Sequence, residues 1–123
     1  MSRYEELDSW KCSMQLVGEI YVLSKSFPKD ELFGITSQMR RASVSVPCNI
    51  AEGIGRHYRK ETLRFLLISR GSLYELETQV KIAVMIGIAE NNKVQTIISL
   101  INKCLQLING LIRFYENAIK KSP

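Results

Sequence analysis

Residues 27–53 read FPKDELFGITSQMRRASVSVPCNIAEG. Phe27 and Pro28 end a preceding helical pattern, because proline lacks the amide that would continue the hydrogen-bond ladder. The apolar residues that follow recur every three or four positions and predict an amphipathic helix, capped by Asp30 or Thr36 and ended by a left-handed turn at Gly53. These apolar residues are Leu32, Ile35, Met39, Ala42, Val46 and Ile50.

Pro47 lies inside this second predicted helix. Its missing amide frees a carbonyl one turn earlier, so we expect a kink between Ser43 and Pro47, with the Ser43 or Ser45 hydroxyl bonding freed backbone groups. Two shorter helices broken at Pro47 are the alternative. The apolar period continues in phase across the proline, which favours the kink.

Three further helical patterns flank this stretch, and no segment alternates as a strand would. The first covers residues 7–27. The third, residues 59–87, is about 40 Å long at ~1.5 Å per residue. The fourth begins at a cap, Asn91 or Asn92. The sequence therefore predicts an all-α fold, an antiparallel up-and-down four-helix bundle that forms a single domain over residues 1–123.

The fourth helix has two apolar rows where a bundle helix needs one. The first row is Val94, Ile98, Ile101, Leu105, Ile108, Ile112, Tyr115 and Ile119, and the second is Leu100, Cys104, Leu107, Leu111, Phe114 and Ala118. Large apolar patches are uncommon on monomers, so the surplus predicts self-association. A somewhat apolar helix in a monomeric bundle is the alternative.

Composition sets the class of protein: 123 residues, 46% of them hydrophobic, with a net charge of +5. No apolar run approaches the roughly 18 to 20 residues that cross a bilayer, and the first residues lack a signal peptide's apolar core, so we expect a cytoplasmic protein without a membrane partner. Cys12, Cys48 and Cys104 are far apart in apolar patterns, which predicts reduced buried thiols rather than bridges or a zinc site.

Catalytic chemistry finds little support in the sequence. His57 is the single histidine and has no carboxylate within three residues to orient it. Residues 53–58, GIGRHY, begin like a dinucleotide fingerprint but lack its final glycine and a preceding strand. We therefore predict no enzyme, no cofactor and no metal site. The polar residues beside the core stripes predict a hydrogen-bond network; these are Asn49, Glu52, Ser72, Glu75 and Glu77.

The whole excess of positive charge falls between Gln38 and Arg70, which hold seven basic and two acidic residues, while the rest of the chain has ten of each. This segment is a candidate nucleic-acid surface, although surface arginines are often only a solvated face. The candidate contacts are Arg40, Arg41, Arg56, His57, Tyr58, Arg59, Lys60 and Arg64. Of Arg40 and Arg41, at most one can face the core. Arg70 is set aside as an ion-pair partner of Glu75 or Glu77.

The stretch at residues 27–53 closely resembles the bacterial four-helix-bundle proteins known as 23S rRNA intervening-sequence proteins. The resemblance continues through Lys60-Glu61, Phe65-Leu66, residues 71–79 and Trp10, and the fourth helix matches only in pattern. The signature residues are Gln38, Arg40, Arg41, Ser45, Pro47, Asn49, Glu52 and Gly53. Cys48, where serine is common, and Ile88-Ala89 depart from the family pattern.

The resemblance implies an up-and-down bundle that assembles as a ring-like homopentamer without established enzymatic activity. A similar bundle, the accessory variability protein of diversity-generating retroelements, forms a basic pentamer that binds its reverse transcriptase and nucleic acid. Two functions are therefore expected: an oligomer that binds nucleic acid, RNA more than DNA, through its basic surface, or a scaffold for another protein such as a polymerase. A hydrolase or nuclease lacks a nucleophile or metal constellation.

Overall fold

The computed structural model describes residues 3–121, and these form four α-helices and three short helical turns with no strand among them. Two of the turns are 3-10 helical, Arg3–Glu6 and Lys29–Glu31. The helices are α1 (Asp8–Ser24), α2 (Ser37–Ile54), α3 (Arg59–Met85) and α4 (Asn91–Lys121). The predicted all-α four-helix bundle is confirmed. Of the predicted domain, residues 1–123, the end residues Met1, Ser2, Ser122 and Pro123 lie outside the described part.

Contacts between helices give the antiparallel order. Arg40, near the start of α2, bonds Ser24 at the end of α1, and Thr62, near the start of α3, bonds Gly53 near the end of α2. Successive helices therefore run in opposite directions. One end of the bundle carries the α2–α3 loop and the end of α4, and the opposite end carries the turns after α1 and α3.

One apolar core lies between the helices. Full burial of such side chains contributes about 1.5 to 3 kcal/mol each. Its largest fully buried apolar members are Leu16, Ile20, Met39, Val46, Ile50, Leu66, Leu73, Leu76, Val80, Ile101, Cys104 and Ile108. The three-four periodicity read from the sequence therefore marks the core faces of α2 and α3 correctly, from Met39 to Ile50 and from Leu66 to Ala83.

Helix α2 is continuous across Pro47, so the alternative of two helices broken there is wrong, and the kink stays a prediction. The Ser43 hydroxyl donates to the Arg40 carbonyl at 2.8 Å. The irregular backbone instead lies at Gly34 (φ −105°, ψ −119°), inside a π-helical turn, Leu32–Thr36, that precedes α2. The predicted start of the helix at Leu32 is therefore five residues early. Thr36 stands at the N-cap without a side-chain cap bond.

Gly53 does not form the predicted left-handed turn. It lies inside α2, which runs to Ile54, and it is buried. A Cβ at this position would lie 2.9 Å from the Phe65 Cβ and 3.1 Å from the Thr62 carbonyl oxygen. Gly53 therefore permits close approach of α2 and α3, and Thr62 Oγ1 donates to its carbonyl at 2.7 Å.

The left-handed glycine is Gly87, with φ of 83°. After α3, the Ile88 amide donates to the Ala83 carbonyl at 3.0 Å and the Gly87 amide donates to the Val84 carbonyl at 3.1 Å. This pair of bonds is a Schellman motif, which satisfies carbonyls that the helix end leaves unpaired.

Helix α4 departs from the prediction at its start and on its buried face. Asn91 is its first residue and accepts from Gln95 Nε2 at 2.9 Å, so the cap position falls on Glu90, whose carbonyl accepts from Val94. Ile97, which lies in neither predicted row, is buried, while Ile98 of the first row is only half-buried. The fully buried row is Val94, Ile97, Ile101, Cys104, Ile108 and Ile112.

Helix α4 also contains a stretch that is long and apolar enough, by length and composition, to cross a membrane. The expectation that no run approaches this length is therefore wrong. Of that stretch 33% is buried in the bundle, and its inner residues pack with those of the other helices in the core.

Candidate nucleic-acid interface

The α2–α3 loop presents its side chains to solvent. Arg56, His57 and Tyr58 are all exposed between Ile54 and Arg59, and Arg59, Lys60 and Arg64 continue the exposed surface onto α3. Tyr58 has extended backbone angles, and its carbonyl accepts the Glu61 and Thr62 amides, so the loop ends in the first turn of α3. A helix N-terminus has a partial positive charge, which adds to these cations in attracting phosphate.

The Phe65 ring contacts two of the arginine side chains. The Arg56 guanidinium lies 4.9 Å from the centre of the Phe65 ring, and the Arg64 guanidinium lies 5.0 Å from it. Both distances are within cation–π range, which restricts the two flexible side chains to the neighbourhood of one half-buried ring. Sequence reasoning missed Phe65 because its role depends on Arg56 folding back over α3.

Glu52 pairs with Arg56, with 3.4 Å between Oε1 and Nη2. Both side chains are partly exposed to solvent, so such a pair contributes at most about 1 kcal/mol and yields readily to a stronger anion. Arg56 is therefore oriented by Phe65 and Glu52 and still available to a phosphate group.

The C-terminus of α4 adds cations that sequence reasoning missed. A cavity of about 450 Å³ is lined by Arg59 of α3 and by Phe114, Asn117, Ala118 and Lys121 of α4. Lys120 lies beside Lys121 in the same exposed last turn. We call this surface the basic end: Arg56, Arg59, Lys60, Arg64, Lys120 and Lys121.

Arg40 and Arg41 are not part of the basic end. They lie near the start of α2, about 20 Å along the helix axis from the loop. Arg40 is half-buried, its Nε donates to Ser24 Oγ at 2.9 Å, and its guanidinium lies 4.9 Å from the centre of the Tyr21 ring. Arg41 is exposed, which confirms that only one of the pair faces inward. The candidate residues thus divide into two groups.

Arg70 was wrongly assigned to Glu75 or Glu77. Its Nη1 donates to Asn109 Oδ1 on α4 at 3.1 Å, and the half-buried guanidinium joins α3 to α4.

A polar network is present between α2 and α3, and it includes Asn49 and Ser72 of the five predicted residues but not Glu75 or Glu77. The Ser45 and Ser72 hydroxyls lie 2.9 Å apart, Asn49 Nδ2 donates to Ser45 Oγ at 2.9 Å, and Ser69 Oγ donates to the Val46 carbonyl at 2.8 Å. Glu52 is not among these partners, because it is exposed and paired with Arg56. The network joins two helix surfaces and serves folding.

The cysteines differ in part from the prediction. All three thiols are free, as expected, but Cys48 is exposed and only Cys12 and Cys104 are buried. Among residues 3–121 no group of three or more histidine, cysteine or acidic side chains could hold a metal ion.

Known proteins share this architecture. The chain is similar to a crystal structure from Bacteroides thetaiotaomicron, a protein of unknown function from the S23 ribosomal protein family, with a TM-score of 0.78, 18% identity, and coverage of 85% of this chain and 97% of that one. No curated protein matches the chain. The family model described as 23S rRNA-intervening sequence protein matches residues 5–110, so the end of α4 lies beyond the match. The chain belongs to the 23S rRNA-intervening sequence protein family.

Proposed function

We propose that this protein is a non-enzymatic, homo-oligomeric bundle, a pentamer, that binds structured RNA through its basic end. The observation that carries the proposal is the meeting of the α2–α3 loop and the C-terminus of α4. Arg59 and Lys121 line one cavity there, and Arg56, Lys60, Arg64 and Lys120 lie close to them in the sequence. These six cations outnumber the acidic residues of the same parts of the chain, which are Glu52, Glu61 and Glu116. Phosphate contacts by such clustered cations release counterions and favour binding.

RNA is the preferred partner for two reasons. The family is named for an RNA context. His57 and Tyr58 present exposed rings among the cations, and exposed rings stack on the unpaired bases of RNA loops. An RNA partner also favours a cytoplasmic location.

Self-association is supported by the last third of α4. No residue from Arg113 to Lys121 is fully buried, and Phe114 is 63% exposed beside the half-buried Leu111 and Ala118. An apolar surface of this kind is suited to contact with a second copy of the chain. Repetition of the basic end around an oligomer then multiplies a weak phosphate contact.

Binding of purified, nuclease-treated protein to labelled structured RNA and to duplex DNA across a salt series tests the proposal, with the oligomer mass measured by light scattering. The Arg56→Gln, Arg59→Gln, Lys60→Gln triple variant should bind more weakly and with a flatter salt slope while it stays folded. The matched control is Lys25→Gln, Lys29→Gln, Lys93→Gln, which removes three exposed cations at the opposite end. Equal losses in the two variants would remove the basic end from the proposal.

A protein-binding scaffold is the second candidate, and the opposite end of the bundle favours it. Phe33 is 93% exposed there, in the turn before α2, and Val22, Leu32, Met85 and Ile86 are also exposed at that end. Exposed apolar clusters often mark protein contacts. Pull-down from a nuclease-treated extract distinguishes the candidates: a scaffold retains defined partners that Phe33→Ser releases, and an RNA-bridged complex disappears.

A further inference from the structure

Two thiols that are distant in the sequence meet in the core. Cys12 of α1 and Cys104 of α4 have their sulfur atoms 2.7 Å apart, and the Cys104 thiol donates to Cys12. Their exposed fractions are 5% and 0%. These helices are the first and the last of the bundle, so the pair joins helices from the two halves of the chain.

A surface cavity extends inward to Cys12. A cavity of about 310 Å³ opens between α1 and α4, and Cys12 lines it together with Asp8, Lys11, Gln15, Lys103 and Leu107. The charges of Lys11 and Lys103 outnumber that of Asp8 at this entrance, so the cavity is net positive and attracts a small anion. Cys104 does not line the cavity, so an incoming reagent meets Cys12 first.

We propose that Cys12 and Cys104 form a redox-active dithiol, which a small anionic disulfide oxidises to an intramolecular bridge between α1 and α4. Cys12 is the attacking thiol, since it lines the cavity, and Cys104 is the resolving thiol.

The oxidation proceeds through two successive thiol–disulfide exchanges. Cys12, after losing its proton to water, attacks one sulfur of the reagent, forms a mixed disulfide and expels one thiolate. Cys104 then loses its proton and attacks the Cys12 sulfur, which forms the Cys12–Cys104 bond and expels the second thiolate. The protein gives up two electrons and two protons, and the reagent is reduced to two thiols.

Burial controls the rate of this chemistry. Desolvation and the interactions with Cys12 raise the pKa of the Cys104 thiol, and the hydrogen bond with Ser13 and the charge of Lys103 oppose them only in part. The thiolate is the reactive form, so the pair stays reduced under reducing conditions and responds only to sustained oxidation. The bridge would close a loop of roughly ninety residues, and disulfides that close long loops constrain the unfolded chain most.

The test treats the Cys48→Ser protein with oxidised glutathione and follows the product by mass spectrometry and thermal unfolding. This variant removes the exposed thiol, which would otherwise form adducts or link two chains. The expected product loses about 2 Da, contains a peptide pair joined through Cys12 and Cys104, and unfolds about 10 °C higher than the reduced form. Reduction with dithiothreitol should reverse all three changes.

Two comparisons complete the test. Cys12→Ser in the same background should form no bridge, and the reduced Cys48→Ser protein is the reference for the unfolding temperature. A folded protein that keeps both buried thiols free throughout prolonged treatment overturns the proposal. A bridged product that unfolds no higher than the reduced form also overturns it, because the pair would then not join the helices as described.

Discussion

Gly53 of α2 faces Phe65 of α3 so closely that a methyl group on Gly53 would lie 2.9 Å from the Phe65 Cβ. The same Phe65 ring has the guanidinium groups of Arg56 and Arg64 over it, each about 5 Å from its centre. The close approach of the two helices at Gly53 therefore supports the ring over which two cations of the basic end lie.

Gly53→Ala is expected to lower the free energy of unfolding by about 1 to 2 kcal/mol, because the clash with Phe65 and the Thr62 carbonyl outweighs the better helix propensity of alanine. Gly71→Ala is the control, since Gly71 is exposed in α3 with nothing within 4 Å of an added Cβ. It should raise stability by about 0.5 to 1 kcal/mol. Urea unfolding measures both, and a stabilised Gly53→Ala protein would contradict the close approach.

Phe65→Leu is expected to weaken RNA binding about threefold without altering the salt slope. The substitution removes the ring that orders Arg56 and Arg64 but leaves every charge in place, so the number of phosphate contacts is unchanged. Affinities at several salt concentrations provide the measurement. A flatter slope would mean that the substitution displaces the cations altogether.

The Lys120→Gln, Lys121→Gln double variant tests whether α4 contributes to the basic end. RNA affinity should fall, and the salt slope should decrease by about 0.7 to 0.9 for each phosphate group that these lysines would otherwise neutralise. The control is the Lys25→Gln, Lys29→Gln double variant, with two exposed cations removed at the opposite end. If the two double variants have the same RNA affinity and the same salt slope, the interface is confined to the α2–α3 loop.

The free energy of unfolding should fall in alkaline solution because the buried Cys104 thiol titrates differently in the folded and unfolded protein. Burial and the hydrogen bond with Cys12 raise the pKa of this thiol in the folded protein above its ordinary value of 9.0. The unfolded chain therefore releases the proton above pH 9 while the folded protein holds it, and the free energy of unfolding falls by at most about 1.4 kcal/mol per pH unit there. Below pH 9 this contribution is fully present.

Urea unfolding in a reducing buffer from about pH 8 to pH 10 measures this dependence. Cys104→Ala provides the comparison, because it lacks the titrating thiol and should lose less stability over the same range. Parallel profiles for the two proteins would show that the thiol titrates alike in the folded and unfolded states.

The sequence alone determined the helices and the family. The apolar period of three and four residues is a local property of a helix, so the buried faces of α2 and α3 could be read directly from Met39 to Ile50 and from Leu66 to Ala83. The polar contacts of Asn49 and Ser72 followed from their positions beside these faces. The start of α2 was read too early, because Leu32 and Ile35 fit the period while the backbone at Gly34 interrupts it.

Only the tertiary structure decided what meets across the bundle. Periodicity does not reveal that the Cys12 and Cys104 sulfur atoms are in contact. It also does not reveal that Lys121 and Arg59 line one cavity, or that Gly53 packs closely against Phe65. Nor does a net charge counted along a segment show that α2 separates Arg40 from Arg56 by several helical turns. These relationships depend on the axial offset and the rotation of each helix relative to its neighbour. Side-chain packing over the whole core determines both.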